Sequence, residues 1–145
     1  MVMPAAPVPV CTAILICERA IQEEGSHKNS LIGIFENVRI VPPKEGVPSP
    51  MPGPIPVAVY ANLTGAEGDY ELRLELANLN DNVVFAEGKV NVSIADRMRT
   101  FELVFNLGLV SFLKVGKYEV RLYANDKYLS AKSFNVVDKN QEDKP

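Results

Sequence analysis

Apolar and polar side chains alternate every second residue along most of this chain, in short runs set apart by clusters of Gly, Asn, Asp and Pro. A period of two puts one set of side chains on a buried face and the other in water, so the pattern predicts β-strands throughout. The run 10–21 is apolar on both sides: Val10, Ile14 and Ile16 fall on one and Ala13, Leu15 and Cys17 on the other, which predicts a doubly covered strand. A polar turn over 23–29 leads to a second run, 31–41, in which Ile32, Ile34, Val38 and Ile40 share a face. Gly33 within it marks a bulge or a close backbone approach.

The segment 42–56 changes character, because Pro42, Pro43, Pro48, Pro50, Pro52, Pro54 and Pro56 remove backbone donors and favour extended polyproline structure. It predicts a stiff connection. Beyond it Ile55, Val57, Val59, Ala61 and Leu63 alternate with Ala58, Tyr60 and Asn62. In the next run Tyr70, Leu72, Leu74 and Leu76 point one way and Glu71, Arg73 and Glu75 the other, the pattern of an antiparallel strand with one wet face. The turn residues Asn78 to Asn82 predict a hairpin into 83–85, followed by strands at 89–94 and 100–106, while 107–112 is apolar without a clear period. Tyr118, Val120, Leu122 and Ala124 form another inward row, and Asn125-Asp126 turns the chain into 128–136.

Gly68-Asp69-Tyr70-Glu71-Leu72-Arg73-Leu74 is echoed by Gly116-Lys117-Tyr118-Glu119-Val120-Arg121-Leu122, an offset of 116 − 68 = 48 residues. Equivalent strands in the two halves of a Greek key, each opened by an inward Tyr, account for the echo. The fold class expected is all-β: a two-sheet antiparallel Greek-key, immunoglobulin-like sandwich of about eight strands. Residues 1–9 form an extended arm, 10–137 one domain and 138–145 a flexible tail.

With 145 residues, 47% hydrophobic and 23% charged, the composition is that of a globular domain. The net charge of −3 offers no basic excess for phosphate, so nucleic acid is not expected as a partner. No apolar run reaches the roughly 20 residues of a membrane helix, and the first ten residues lack the basic start of a secretory signal. A membrane is therefore not expected either. Cys11 and Cys17, six apart on one strand, would lie about 20 Å from each other on the same face, too far to bridge. Reduced, buried thiols imply a cytoplasmic location. The sequons at Asn62 and Asn91 are read as chance.

No catalytic, cofactor or metal constellation emerges, and the chain is expected not to be an enzyme. The one histidine, His27, sits in a polar turn with no nucleophile in view. Metal-ligand spacings are missing, and Asn78, Asn80 and Asp81 bring a single carboxylate to their turn, too little charge for calcium. Glu23 and Glu24 are adjacent in a turn, and Arg97, Arg99 and Lys89 make at most a small basic cluster. Pro48 to Pro54 would suit an aromatic groove, though a rigid crossover explains it more simply. Tyr60 and Tyr123 are candidate contact aromatics.

The strings Ala13-Ile14-Leu15-Ile16-Cys17-Glu18, Asn29-Ser30-Leu31-Ile32-Gly33-Ile34-Phe35-Glu36-Asn37-Val38 and Gly116 to Leu122, with Phe134-Asn135-Val136, resemble a bacterial family of uncharacterised small β-sandwich proteins. The resemblance implies a bacterial cytoplasmic origin and the sandwich fold, and brings no activity. The function expected is a non-catalytic protein-interaction or assembly module, with self-association through the first strand as one version. The alternative is a sandwich that binds a small molecule or carbohydrate, weakened by 8% aromatic residues and no Trp.

Overall fold

The computed structural model describes residues 6–26, 28–43, 46 and 52–140. They form nine strands: β1 (Val10–Gln22), β2 (Asn29–Ile34), β3 (Asn37–Ile40), β4 (Ile55–Thr64), β5 (Gly68–Asn78), β6 (Val83–Ile94), β7 (Phe101–Val110), β8 (Gly116–Ala124) and β9 (Lys127–Asp138). One sheet has the order β2-β1-β4-β7 and the other β3-β9-β8-β5-β6. Neighbours β4 and β7, and β5 and β8, are far apart in sequence, so the chain passes between the sheets as a Greek key does.

Two expectations need correcting. Residues 31–41 are two strands in different sheets, because the chain crosses over at Phe35 and Glu36. Ile32 and Ile34 consequently stay exposed while Val38 and Ile40 enter the core. The sandwich also carries one parallel pair, β3 with β9, since the crossover brings β3 in alongside the last strand running the same way. The total is nine strands, with 83–85 and 89–94 fused into β6.

The core lies between the sheets. Val57, Val59, Ala61 and Leu63 of β4 face Leu72, Leu74 and Leu76 of β5 and Val120 and Leu122 of β8, all with almost no solvent contact. Full burial of each such side chain stabilises the fold by about 1.5–3 kcal/mol. At one end the rings of Phe112, Tyr118 and Phe134 pack 5.3–5.7 Å apart, with Phe35 and Phe85 at their margins.

The echoed heptads are strands β5 and β8, which pair antiparallel with Leu74 directly opposite Leu122. The offset of the echo relates those same two residues, 122 − 74 = 48, so a local two-fold passes between them. Each half opens on a tyrosine whose hydroxyl is tied to the preceding loop: Tyr118 donates to Lys114 O at 2.7 Å, and the Tyr70 hydroxyl, which donates to Pro7 O at 2.6 Å, accepts from Glu67 N at 2.9 Å. These are tyrosine corners, which pin the entry of a strand to the loop before it.

Candidate interaction surface

Cys11 and Cys17 lie on opposite faces of β1, not on one. Cys11 pairs with Leu63 and Ala13 with Asn62, so Thr12 is an extra, bulged residue that reverses the alternation. Cys11 accordingly packs against the core beside Ile14 and Ile16, and Cys17 is buried on the other face. Burial pushes both thiols up from their ordinary pKa. Ile16 is 1% exposed and β1 is flanked by β2 and β4, so its middle is covered within the sheet while Val10 and Ile21 near its two ends stay exposed.

The oxygens of the 78–82 turn are committed locally. Asn78 Oδ1 accepts from Asn80 N at 2.9 Å and Asp81 Oδ1 from Val83 N at 3.2 Å. Arg99 meets Asp96, which itself closes the turn after β6, and Lys89 is paired with Glu87 at 3.4 Å on the strand, apart from that turn. Glu23 and Glu24 are exposed at the end of β1. Tyr60 is half-buried, its hydroxyl accepting from Asn62 Nδ2 at 3.5 Å. His27 and 47–51 fall outside the described residues.

The outer face of the five-stranded sheet collects most of the ordered charge. The Arg73 guanidinium sits 4.4 Å from the centre of the Tyr123 ring, pairs with Asp126 and lies 3.7 Å from Glu75. Burial alone would lower its pKa, but Asp126, Glu75 and Glu87 hold it above the ordinary arginine value. Arg121 donates from Nε to Glu119 at 2.6 Å and from Nη2 to Asn82 at 3.2 Å. Around Arg73 and Arg121 positive and negative groups thus answer one another on this face.

Apolar surface is concentrated elsewhere. On β6, β7 and the loop after them Val83, Val84, Phe85, Val90, Val104, Leu109, Leu113 and Val115 remain exposed, Leu109 at 69% and Val83 at 51%. Strands β6 and β7 are the edges of their sheets on the same side of the sandwich. They meet where Gly88 lets the Phe105 ring approach, an ideal Cβ there lying 3.1 Å from Phe105 Cδ1. At one end of this flank a concavity of about 310 Å³ is walled by Val83, Phe85, Leu113 and Tyr118, with Asp81 and Lys114 3.9 Å apart at its rim. Periodicity alone could not reveal the flank, because exposure here follows from which strands end up at the edges.

The architecture is that of an all-β, two-sheet Greek-key sandwich whose distinctive surface is an open edge. The chain belongs to a family of unknown function (DUF6941), matched over residues 12–137. It is similar to the crystal structure of an immunoglobulin-like protein from Pseudomonas aeruginosa at 17% identity, covering 91% of this chain and 98% of that one with a TM-score of 0.45. No curated protein matches it.

Proposed function

We propose that this chain works by protein contact and not by catalysis, as an interaction or assembly module whose contact surface is the β6–β7 flank. The observation that carries the reading is the run of exposed Val83, Val84, Phe85, Val90 and Leu109 along two neighbouring unpaired edges. Single apolar side chains on a surface are ordinary, but several gathered on two neighbouring edge strands fit a partner surface. Unpaired edge strands add the backbone groups by which a partner strand or sheet is recognised. The two free thiols support a reading in which the module works in a reducing compartment such as the cytoplasm.

Cross-linking the chain in a lysate of its native host, followed by mass spectrometry, tests the reading. Cross-links from Lys89 or Lys114 on this flank to a protein, another chain of the same sequence included, are the expected result. A strict monomer in sedimentation together with no cross-linked protein would overturn it. The alternative, a small-molecule or carbohydrate-binding sandwich, draws on the concavity beside Val83 and Phe85. A flat thermal-shift screen against glycans and metabolites would remove it.

A further inference from the structure

Strand β6 has β5 on one side and no strand on the other among the described residues, and the charges on it are placed awkwardly for a lone chain. Across the β5–β6 ladder Glu87 stands directly opposite Glu75, and Lys89 directly opposite Arg73. Like charges facing one another across a pair of strands are destabilising, and here the relief comes along each strand, Glu87 with Lys89 at 3.4 Å and Arg73 with Glu75 at 3.7 Å, and from Asp126, which pairs with Arg73. Both side chains on β6 are exposed, 42% for Glu87 and 55% for Lys89.

A second β6 running antiparallel along the free edge, centred on Gly88, turns this arrangement into a complementary one. Glu87 then faces Lys89 of the other copy and Lys89 faces its Glu87, so one two-fold axis makes both pairs at once. The same register sets Val90, 39% exposed, against Ala86 of the other copy, and brings Gly88 opposite itself without a side chain to hold the strands apart. Charge selects this register, since it is the one that joins Glu87 to Lys89 twice. The regular ladder it uses, Ala86 to Val90, lies clear of the bulge at Phe85, where Leu76 pairs with Ala86 and Ala77 with Val84.

We infer that the partner of the β6 edge is a second copy of this chain, joined antiparallel through β6 about Gly88 into a continuous ten-stranded sheet. This rests on the protein-contact reading and names its partner. Sedimentation equilibrium of the full chain over a wide concentration range tests it. The wild type is expected to pass from one-chain to two-chain mass as concentration rises. E87K places Lys opposite Lys twice and K89E places Glu opposite Glu twice, so each alone weakens association by about tenfold or more. The double variant E87K/K89E restores it, and an equimolar mixture of the two single variants forms a mixed dimer. Circular dichroism checks that each variant keeps its sheet.

A wild type that stays monomeric at every concentration, or a dimer indifferent to E87K and K89E, overturns the inference. If the wild type is monomeric while the cross-linking experiment captures a different protein on the flank, self-pairing fails and the protein-contact reading stands. If neither a second copy nor another protein is captured, both fail.

Discussion

The two long sides of the sandwich are finished in different ways. On one, the edge strands β2 and β3 are six and four residues long, and the chain itself steps from sheet to sheet between them through Phe35 and Glu36. That step is tied to both sheets, Phe35 N donating to Ile16 O at 3.0 Å and Asn135 N to Glu36 O at 2.9 Å, and the Phe35 ring meets Phe134 edge-on. On the other side β7 and β6 are ten and twelve residues long, and their common margin is held at Gly88 and Phe105. Short edges blunt the pairing capacity of a sheet, whereas long apolar ones retain it. One side is closed by a two-residue step between short edges, while on the other the longer connection 95–100 joins two long edges that keep the capacity to accept a strand.

The contrast predicts unequal contributions to folding. Phe35→Ala, in the closed flank, should lower the unfolding free energy by about 3 kcal/mol, because it removes a ring packed against the core. Phe85→Ala, in the open flank and 41% exposed, should cost about 1 kcal/mol although its ring also meets Phe112 and Tyr118. Urea unfolding of the two variants measures the difference. Equal losses would break the comparison, since the open edge would then be as much a part of the fold as the crossover.

Gly116 controls how the open flank is anchored at its end. Its φ of +147° is one that L side chains rarely adopt, and a Cβ there would lie 2.0 Å from Asn80 Nδ2, in the turn that delivers β6. Gly116→Ala should cost about 2 kcal/mol in chemical unfolding. Adding Asn80→Ala should return part of the loss by removing the clash but not the backbone strain. Full recovery would show the strain to be negligible.

A smaller effect is expected at Gly88, where no unusual φ is involved. Gly88→Ala presses a methyl toward the Phe105 ring and should cost about 1 kcal/mol, with β6 and β7 moving apart to accommodate it. Faster amide exchange along β6, with β1 unchanged, would locate the disturbance on the open flank. A stabilised protein would show the edge to be loosely packed there.

How far this contrast was legible in the sequence depended on whether alternation was continuous. Strands β5 and β8 were plain because their inward rows, Tyr70 to Leu76 and Tyr118 to Ala124, run without interruption, and the tyrosine corners lie where the heptad echo suggested equivalent entries. Where a bulge inserts a residue, parity reverses and the reading slips. Thr12 sent Cys11 to the opposite face from Cys17, and Leu107, skipped between Asn106 and Gly108 in the pairing with β4, made the end of β7 look formless. The crossover at Phe35 was hidden for a different reason: Ile32, Ile34, Val38 and Ile40 keep an apparent common period while belonging to two sheets. The open flank was illegible altogether, since which strands become edges is decided by long-range pairing. Every bulge and crossover of this kind is a tertiary event that local patterning does not record.

The least forceful test separates the flanks by their titrating groups. Cys11 and Cys17 both lie on β1, in the sheet that the crossover closes, and burial raises each thiol's pKa in the folded state. The unfolded chain therefore loses its thiol protons first, near the ordinary value of about 8.5, and favourable ionisation of that state draws the equilibrium toward it. Stability should be constant with respect to these groups below that pH and fall as pH rises through it. Tyr118 and Tyr123, also raised by burial, add a second decline that starts above about pH 10. Urea unfolding at steps between pH 7 and 10 should show the first decline in the wild type. In Cys11→Ala/Cys17→Ala, whatever that variant's starting stability, the slope between pH 8.5 and 10 should flatten. A slope that survives the double substitution would mean that the closed flank's thiols are not desolvated as their positions on β1 require.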